Sequence, residues 1–585
     1  MKACYETKWI SANHHELGEL PGRFHPVIEK ILMSRGVKEA AQMEEFLSES
    51  PQLTHDPFQM KGMDKAVTLI IDALNKKQKI VFYGDYDVDG MTSVALLLDF
   101  FYPMTSNIEF YIPLREEEGY GLNQEALLEI KEDYQADLVV TVDCGISAVD
   151  ETEYAKKIGL KLIITDHHMP GDQLPDTVVV NPKQPDCDYP FKELSGCGVA
   201  FKLAQALQKR LHIPKTRLTN LLDLVALATV CDVVPLRDEN RTMVKYGIQR
   251  MRTTQRPGFQ ALLEVLSIPK DQIGVRELGF RIGPHFNASG RIDDARMGVQ
   301  LLVTRKRQTA LMLAERLRYL NDKRRKIQEM GIDICHQLVV DKFHQHSFLV
   351  VDSEELHEGV IGIIAGRLRD AFYRPTLVLT PAKEKGVYTG SGRSVEGFHL
   401  FNELKPASHL MERFGGHANA CGLKIRQENI HQLRDYLQQR VLKVQEQMPD
   451  LLLKKIKVTD HIWPEDLTEE FIETMKRLEP YGMGNEKPYF LMKNIQIGAD
   501  SHINFMGEEG QHLKISQFMQ AGKKNISNIE IISFGISDEH RKLCSKPDAP
   551  YDLVFFPQVN EFRGNRRIQM LMLDVKQAVK YPDKA

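Results

Sequence analysis

No apolar run in this chain reaches the ~18 residues a membrane-spanning helix needs; the stretch around Val94 to Leu98 is among the longest. A path through a membrane is therefore not expected. Cysteine is sparse and scattered: the 8 residues form no C-x-x-C pair, which argues against a zinc ribbon or a disulfide framework. Met1 to Ser11 carries Lys2, Glu6 and Lys8 and has no apolar signal core, so a cytoplasmic rather than a secreted protein is expected. Internal repeats and low-complexity tracts are missing too. Nor is there an excess of positive charge. With 76 Lys and Arg against 80 Asp and Glu, the net charge of −4 excludes a generic polyanion binder. A nucleic-acid function would need basic groups concentrated locally, and acidic groups concentrated where they hold metals.

What is present has the balance of a soluble multidomain protein: 585 residues, 42% hydrophobic and 27% charged. At ~150 residues per domain that length is a prior of roughly four domains. Residues 1–60 read as a helical preface, with apolar helical spacing at Val27 to Met33 and Ala40 to Leu47. In 61–294 short apolar strands alternate with amphipathic helices, the pattern of a mostly parallel α/β sheet. The expected strands are Lys79–Tyr83, Ile108–Ile112, Leu138–Val142, Lys161–Thr165 and Val178–Val180. Residues 295–340, rich in Leu, Arg and Lys, suit one long basic connecting helix. A second α/β block occupies 341–450. Residues 451–585 shift to short strands with aromatics (Tyr489, Phe490, Phe505, Phe518, Phe534, Phe555, Phe556), the pattern of a small β-barrel.

Chemistry concentrates where the strands end. Gly84-Asp85-Tyr86-Asp87-Val88-Asp89-Gly90 follows the first strand directly, and in an extended segment Asp85, Asp87 and Asp89 would share one face. A calcium loop is rejected, because the position that needs Glu is Leu96. Leu138–Val142 ends in Asp143, Lys161–Thr165 ends in Asp166-His167-His168, and apolar Leu224 to Val230 leads to Cys231-Asp232. The carboxyl ends of parallel strands line one crevice. Asp87, Asp89, Asp143, His167, His168 and Asp232 are thus expected to converge there. Oxygen ligands with one or two imidazoles suit Mn²⁺ or Mg²⁺, and the surplus of carboxylates points to two ions sharing a bridging ligand. For a single motif the plain alternative, a helix N-cap or a surface polar pair, carries more than half the weight. Four in one sheet reverse that balance.

GDYDVDG, TVDCG, TDHH and CDVVPL, in that order, resemble the motifs of the DHH phosphoesterase superfamily, and within it the RecJ family of single-strand exonucleases. Supporting segments are Lys8-Trp9-Ile10, Ile112 to Gly121, Asn287 to Arg291, Gly359 to Arg367, Phe414 to Gly422 and Leu478 to Pro488. The resemblance implies a DHH domain, a DHHA1 domain beyond the connecting helix, and a C-terminal OB-fold that holds single strands. It implies Asp87 and Asp143 on one ion, and Asp89, Asp143, His167 and Asp232 on the other. Asp85 would be an additional ligand, Asp166 would orient His167, and His168 would meet the scissile phosphate or the leaving oxygen. Arg115, Arg291, Arg367, Ser391, Arg393, Gly415, Gly416 and His417 would take substrate phosphates, and Lys454, Lys455 and Lys457 could do so at the barrel entrance.

The activity so implied is 5′→3′ hydrolysis of single-stranded DNA to mononucleotides in repair and recombination. The enzyme would be a monomer served by a helicase and a single-strand-binding protein. Three readings compete: a phosphodiesterase of cyclic dinucleotides or very short oligoribonucleotides, an inorganic pyrophosphatase, and a catalytically dead DNA-binding scaffold. The first two have no use for a barrel, and the intact acidic set speaks against the third.

Overall fold

The computed structural model describes residues 7–13, 17–114, 118–119, 121–497, 501–508, 510–520, 526–537, 540–541, 550–562 and 564–578. The chain divides into two compact units: Pro51–Glu329 with Pro480–Glu486, and Met1–Ser50 with Met330–Glu479 and Lys487–Ala585. Among the described residues no helix is long and apolar enough to cross a membrane.

The first unit is built on a 5-stranded, wholly parallel sheet. In spatial order its strands are Ile108–Tyr111, Ile80–Gly84, Leu138–Val142, Lys161–Thr165 and Val178–Val180. Ile80–Gly84 and Leu138–Val142 are buried along their whole length, because helices cover both faces. That double burial is why these strands read as continuous apolar runs rather than alternating ones.

Two local expectations are corrected here. Asp85, Asp87 and Asp89 do not lie on an extended segment: Asp87 caps the helix Val88–Phe101, and Asp89 sits in its first turn. An Asp directly ahead of an apolar helical run is a strong N-cap, and that preference outcompetes extension. Leu224 to Val230 is not a fourth strand but part of the helix Leu222–Cys231, with Asp232 at its C-cap. A short run apolar on every side is buried in either conformation, so periodicity cannot separate the two.

A buried ion pair ties this unit together. Lys202 Nζ donates to Glu239 Oε2 at 3.0 Å and to the His55 carbonyl at 2.7 Å, while the Tyr189 hydroxyl donates to Glu239. Both charged side chains are about 1% exposed. Removing one partner leaves the other charge buried alone, at a cost of about 3–5 kcal/mol. Glu239→Ala is therefore expected to lower unfolding free energy by about that much in denaturant titrations. A loss below ~1 kcal/mol would match an exposed pair instead.

In the second unit a 5-stranded sheet has the order Met411–Gly416, Ala420–Arg426, Val387–Arg393, Thr376–Pro381, Leu349–Asp352, with only the last pair parallel. The C-terminal block is a 7-stranded sheet whose extra pairing between Phe490–Gln496 and His512–Gln520 closes a barrel. Phe490, Phe518 and Phe555 fill its interior, whereas Phe534 is 68% exposed. Residues near the N-terminus join this unit. Strand Thr7–Ser11 pairs in parallel with Lys454–Val458, and Trp9 Nε1 donates to Asp574 at 2.7 Å. The preface is thus not purely helical, and Lys454 to Lys457 form a strand. The basic stretch expected as one helix is two, Arg296–Val303 and Arg307–Leu338.

Candidate metal centre

Glycines shape the turn that carries the first carboxylates. A Cβ on Gly90 would lie 2.4 Å from the Asp85 carbonyl oxygen, and one on Gly290 would lie 2.4 Å from that of Tyr86. Asn287 Oδ1 accepts from the Val88 N–H at 3.3 Å, so the Asn287-to-Arg291 segment packs on this turn. The Asp87 carboxylate accepts from the Gly90 N–H at 3.1 Å. Asp89 reaches across to another helix: its oxygens accept from the Gly196 and Cys197 N–H groups at 2.6 and 2.8 Å. Those N–H groups open the helix Gly196–Arg210, where unpaired donors and the helix dipole favour an anion. Gly196 is required by space as well, since a Cβ there would meet Asp143 Cβ at 2.5 Å.

Asp143 adopts a left-handed backbone (φ 60°), which turns its carboxylate out of the strand end toward the other ligands. Its Oδ1 lies 3.1 Å from His167 Nε2. The same nitrogen is 3.6 Å from Asp232 Oδ2 and 3.8 Å from Asp89 Oδ2. Ligand atoms of Asp85, Asp87 and Asp143 lie within 4.8 Å of one another, as do those of Asp89, His167 and Asp232, and those of Asp143, His167 and His168. The structure therefore brings together the whole predicted set, Asp232 included, although it arrives from a helix.

The electrostatics are those of crowded, buried carboxylates. Burial, then the neighbouring carboxylates, lifts Asp143 well above the ordinary range. Burial and Asp87 push Asp89 up to about 7, against the pull of its two backbone donors. Burial and Asp89 push Asp232 up to about 9. His167 goes the other way: burial and the neighbouring His168 lower it to about 3, which leaves a neutral ring with a free lone pair. Asp143 Oδ1, Asp232 Oδ2 and His167 Nε2 are buried with no hydrogen-bond partner among the described residues. Unpaired buried acceptors cost free energy unless something satisfies them. A pair of hard divalent cations is the group that fits this set of oxygens with one imidazole.

Asp166 differs from the expectation that it orients the His167 ring. Its Oδ1 meets His168 Nδ1 at 2.8 Å and the N–H groups of His167 and His168 at 2.7 and 3.1 Å; its Oδ2 accepts from the Ile146 N–H at 2.9 Å. It thus fixes the His168 ring and the backbone of both histidines. Burial alone would raise Asp166, but these bonds hold it below the usual carboxylate range. Burial works to lower His168 as well; the bond to Asp166 and the surrounding carboxylates prevail and raise it to about 9.

The sequence reading missed Gly196, Cys197 and Ile146, which act through backbone N–H groups. Only Ser195-Gly196 ahead of an apolar run signalled the helix start that holds Asp89. Of the expected phosphate contacts, Arg115 lies outside the described residues. Arg291 ends the helix that packs on the Asp85–Asp89 turn. In the other unit, Ser391 and Arg393 alternate along one strand, with Arg393 Nη1 donating to Ser391 Oγ at 3.0 Å. Ser391 pairs with Gly422, which pairs in turn with Gly415, so on that side Ser391 is flanked by backbone without side chains, with Val378 on the other. Gly416 (φ 144°) and His417 make the adjoining turn, and Arg367 is exposed on the helix Ile361–Phe372.

Comparison with known proteins agrees with this arrangement. The family model described as the DHH family, N-terminal domain, matches residues 79–229; the DHHA1 domain matches 345–443, and the RecJ OB domain 460–574. The single-stranded-DNA-specific exonuclease RecJ of Escherichia coli is 33% identical over 583 residues, covering 95% of this chain and 97% of its own. The chain belongs to the RecJ family. The Bacillus subtilis RecJ is 36% identical over 550 residues, 94% of this chain and 68% of that relative. Among solved structures, Thermus thermophilus RecJ in complex with Mn²⁺ superposes with a TM-score of 0.81 at 26% identity. That match covers 98% of this chain and 80% of the Thermus chain.

Proposed function

We propose that this RecJ-family protein is a metal-dependent exonuclease that degrades single-stranded DNA from the 5′ end and releases mononucleotides, in repair and recombination. The observation that carries the reading is Asp143, whose carboxylate stands between the Asp85–Asp87 group and the His167 imidazole. A carboxylate so placed would be shared by two Mn²⁺ or Mg²⁺ sites: Asp85, Asp87 and Asp143 would hold one ion, and Asp89, Asp143, His167 and Asp232 the other. Bound there, such ions polarise the phosphoryl oxygens and lower the pKa of a water at neutral pH.

The chain's own groups do the rest. His167, kept neutral, offers Nε2 as a ligand. The helix N-terminus at Gly196 fixes Asp89 before any ion arrives, so little reorganisation is left for binding. His168 is 45% exposed and held by Asp166 through Nδ1, a bond that favours its charged form. Its other nitrogen is then a donor for a non-bridging phosphate oxygen or for the departing oxygen. Arg115, Arg291, Arg367 and Arg393 offer guanidinium forks to substrate phosphates, with Ser391, Gly415, Gly416 and His417 adding hydroxyl, backbone and imidazole donors. The barrel supplies a single-strand platform. The 5′→3′ polarity rests on the family resemblance, as do a cytoplasmic location, a monomeric state, and supply of strands by a helicase and a single-strand-binding protein.

The test is a substrate panel with Mn²⁺ or Mg²⁺: single strands labelled at the 5′ or the 3′ end, duplex DNA, a cyclic dinucleotide and pyrophosphate. Labelled mononucleotide is expected from the first cleavage of 5′-labelled single strands, with duplex spared. Faster turnover of the cyclic dinucleotide would overturn the proposal.

A further inference from the structure

We propose that Pro480–Glu486, a segment distant in sequence from every metal ligand, is a strap that positions Asp232; the inference rests on Asp232 being a metal ligand. Asp232 is held on one side only by its own helix, its N–H donating to the Ala228 carbonyl at 2.8 Å. Immediately after it the chain takes an unfavourable course. Val233 is β-branched, 62% exposed, and in the left-handed region at φ 59°. A β-branched residue avoids that region, and such a conformation persists only where its surroundings over-determine it.

The far end of the loop shows what determines it. The Leu236 N–H donates to the Met483 carbonyl at 2.7 Å, and Arg237 Nε donates to the Gly484 carbonyl at 2.5 Å. The strap's glycines are shaped to this loop. A Cβ on Gly482 would lie 2.6 Å from Leu236 Cδ1, and one on Gly484 would lie 2.9 Å from Arg237 Nε and 3.1 Å from Pro235 Cβ. Gly484 also needs its left-handed backbone, at φ 71°. The strap is closed on itself before it touches the loop. Gly482 and Asn485 exchange backbone hydrogen bonds at 3.0 and 3.1 Å, and the buried Asn485 side chain donates to the Pro480 carbonyl at 2.7 Å. A closed turn is a rigid anchor. From the other flank Asn240 Nδ2 donates to the Pro235 carbonyl at 3.1 Å and to that of Glu193 at 2.6 Å.

With Leu236 and Arg237 pinned and the helix ending at Cys231, Val233 must absorb the turn. Asp232 Oδ2 is thereby held 3.6 Å from His167 Nε2. The strap acts on Asp232 through Leu236 and Arg237; its residues are positioning residues. Within the Leu478-to-Pro488 segment, Gly482 and Gly484 let two backbones close on the loop after Asp232.

The experiment uses the full chain with Gly484→Ala and, separately, Arg237→Met, an exposed position whose replacement removes only the strap bond. Mn²⁺ binding is read from the electron paramagnetic resonance signal of free Mn²⁺, alongside metal-free melting and hydrolysis of a single-stranded oligonucleotide. Each variant is expected to bind Mn²⁺ ~10-fold more weakly or worse, as the loss of an outer partner does. Hydrolysis should recover as Mn²⁺ is raised. In an Asp232→Asn background either strap change should add little, because both act through one ligand. Wild-type Mn²⁺ affinity in the folded Arg237→Met protein would overturn the proposal, as would equal weakening with and without Asp232. If the unaltered protein binds Mn²⁺ but leaves single strands intact, the functional reading fails and the strap is still judged by the Mn²⁺ titration.

Discussion

Asp143→Asn is expected to abolish metal-dependent hydrolysis of single-stranded DNA while single-strand binding survives. The substitution keeps the size of the side chain and the left-handed backbone, which Asn tolerates well. It also keeps the close packing on Gly196. What it removes is the negative charge that both ion sites share, so both should weaken at once. Loss of a partner outside the ligand set costs ~10–100-fold in affinity or activity, and loss of the bridging ligand should exceed that range. Binding should persist because the barrel and the Ser391–Arg393 strand lie outside the unit that holds Asp143. Rate measurements at saturating Mn²⁺, paired with fluorescence anisotropy on a labelled oligonucleotide, separate the two. Hydrolysis within tenfold of the unaltered protein would remove Asp143 from the centre of the mechanism.

The legible part of the site was the part written as strand ends. Leu138–Val142 and Lys161–Thr165 lie where their apolar runs predict, since a strand buried on both faces leaves a continuous apolar signature bounded by polar residues. Asp143 and His167 follow from those strands directly. Asp232 was found by residue type and chain order but given the wrong element, because so short and mostly apolar a run does not reveal whether it coils. The partners of Asp89 and Asp166 were out of reach for a different reason. Beyond the His167–His168 contacts of Asp166, they are backbone N–H groups of Gly196, Cys197 and Ile146, and a backbone donor has no letter in the sequence. The N-terminal strand was hidden likewise. Thr7–Ser11 has five residues and finds its partner at Lys454–Val458, a pairing no local pattern contains.

The proton inventory of the site predicts that a divalent ion stabilises the fold more as pH rises. Without an ion, Asp89 and Asp232 titrate near 7 and 9 in the folded chain, far above an unfolded Asp at ~3.9. Raised carboxyls favour the folded state fully only below the unfolded value. Their share is lost as pH rises from about 4 to about 7 for Asp89 and to about 9 for Asp232, so metal-free melting should decline up to about pH 9. His167, lowered to about 3, has no proton to give there. An ion entering at pH 6 must therefore displace protons from carboxyls, and at higher pH it displaces fewer. Each proton released strengthens apparent binding ~10-fold per pH unit, about 1.4 kcal/mol. Melting curves at pH 6, 7, 8 and 8.5, with and without saturating Mg²⁺, should show an ion-dependent increment that grows with pH. Asp232→Asn should flatten the upper part of that trend, since it removes one of the carboxyls, Asp143 being another, that burial and like charges raise furthest. An increment that stays level or shrinks from pH 6 to 8.5 would mean that the ion is not held by these carboxylates.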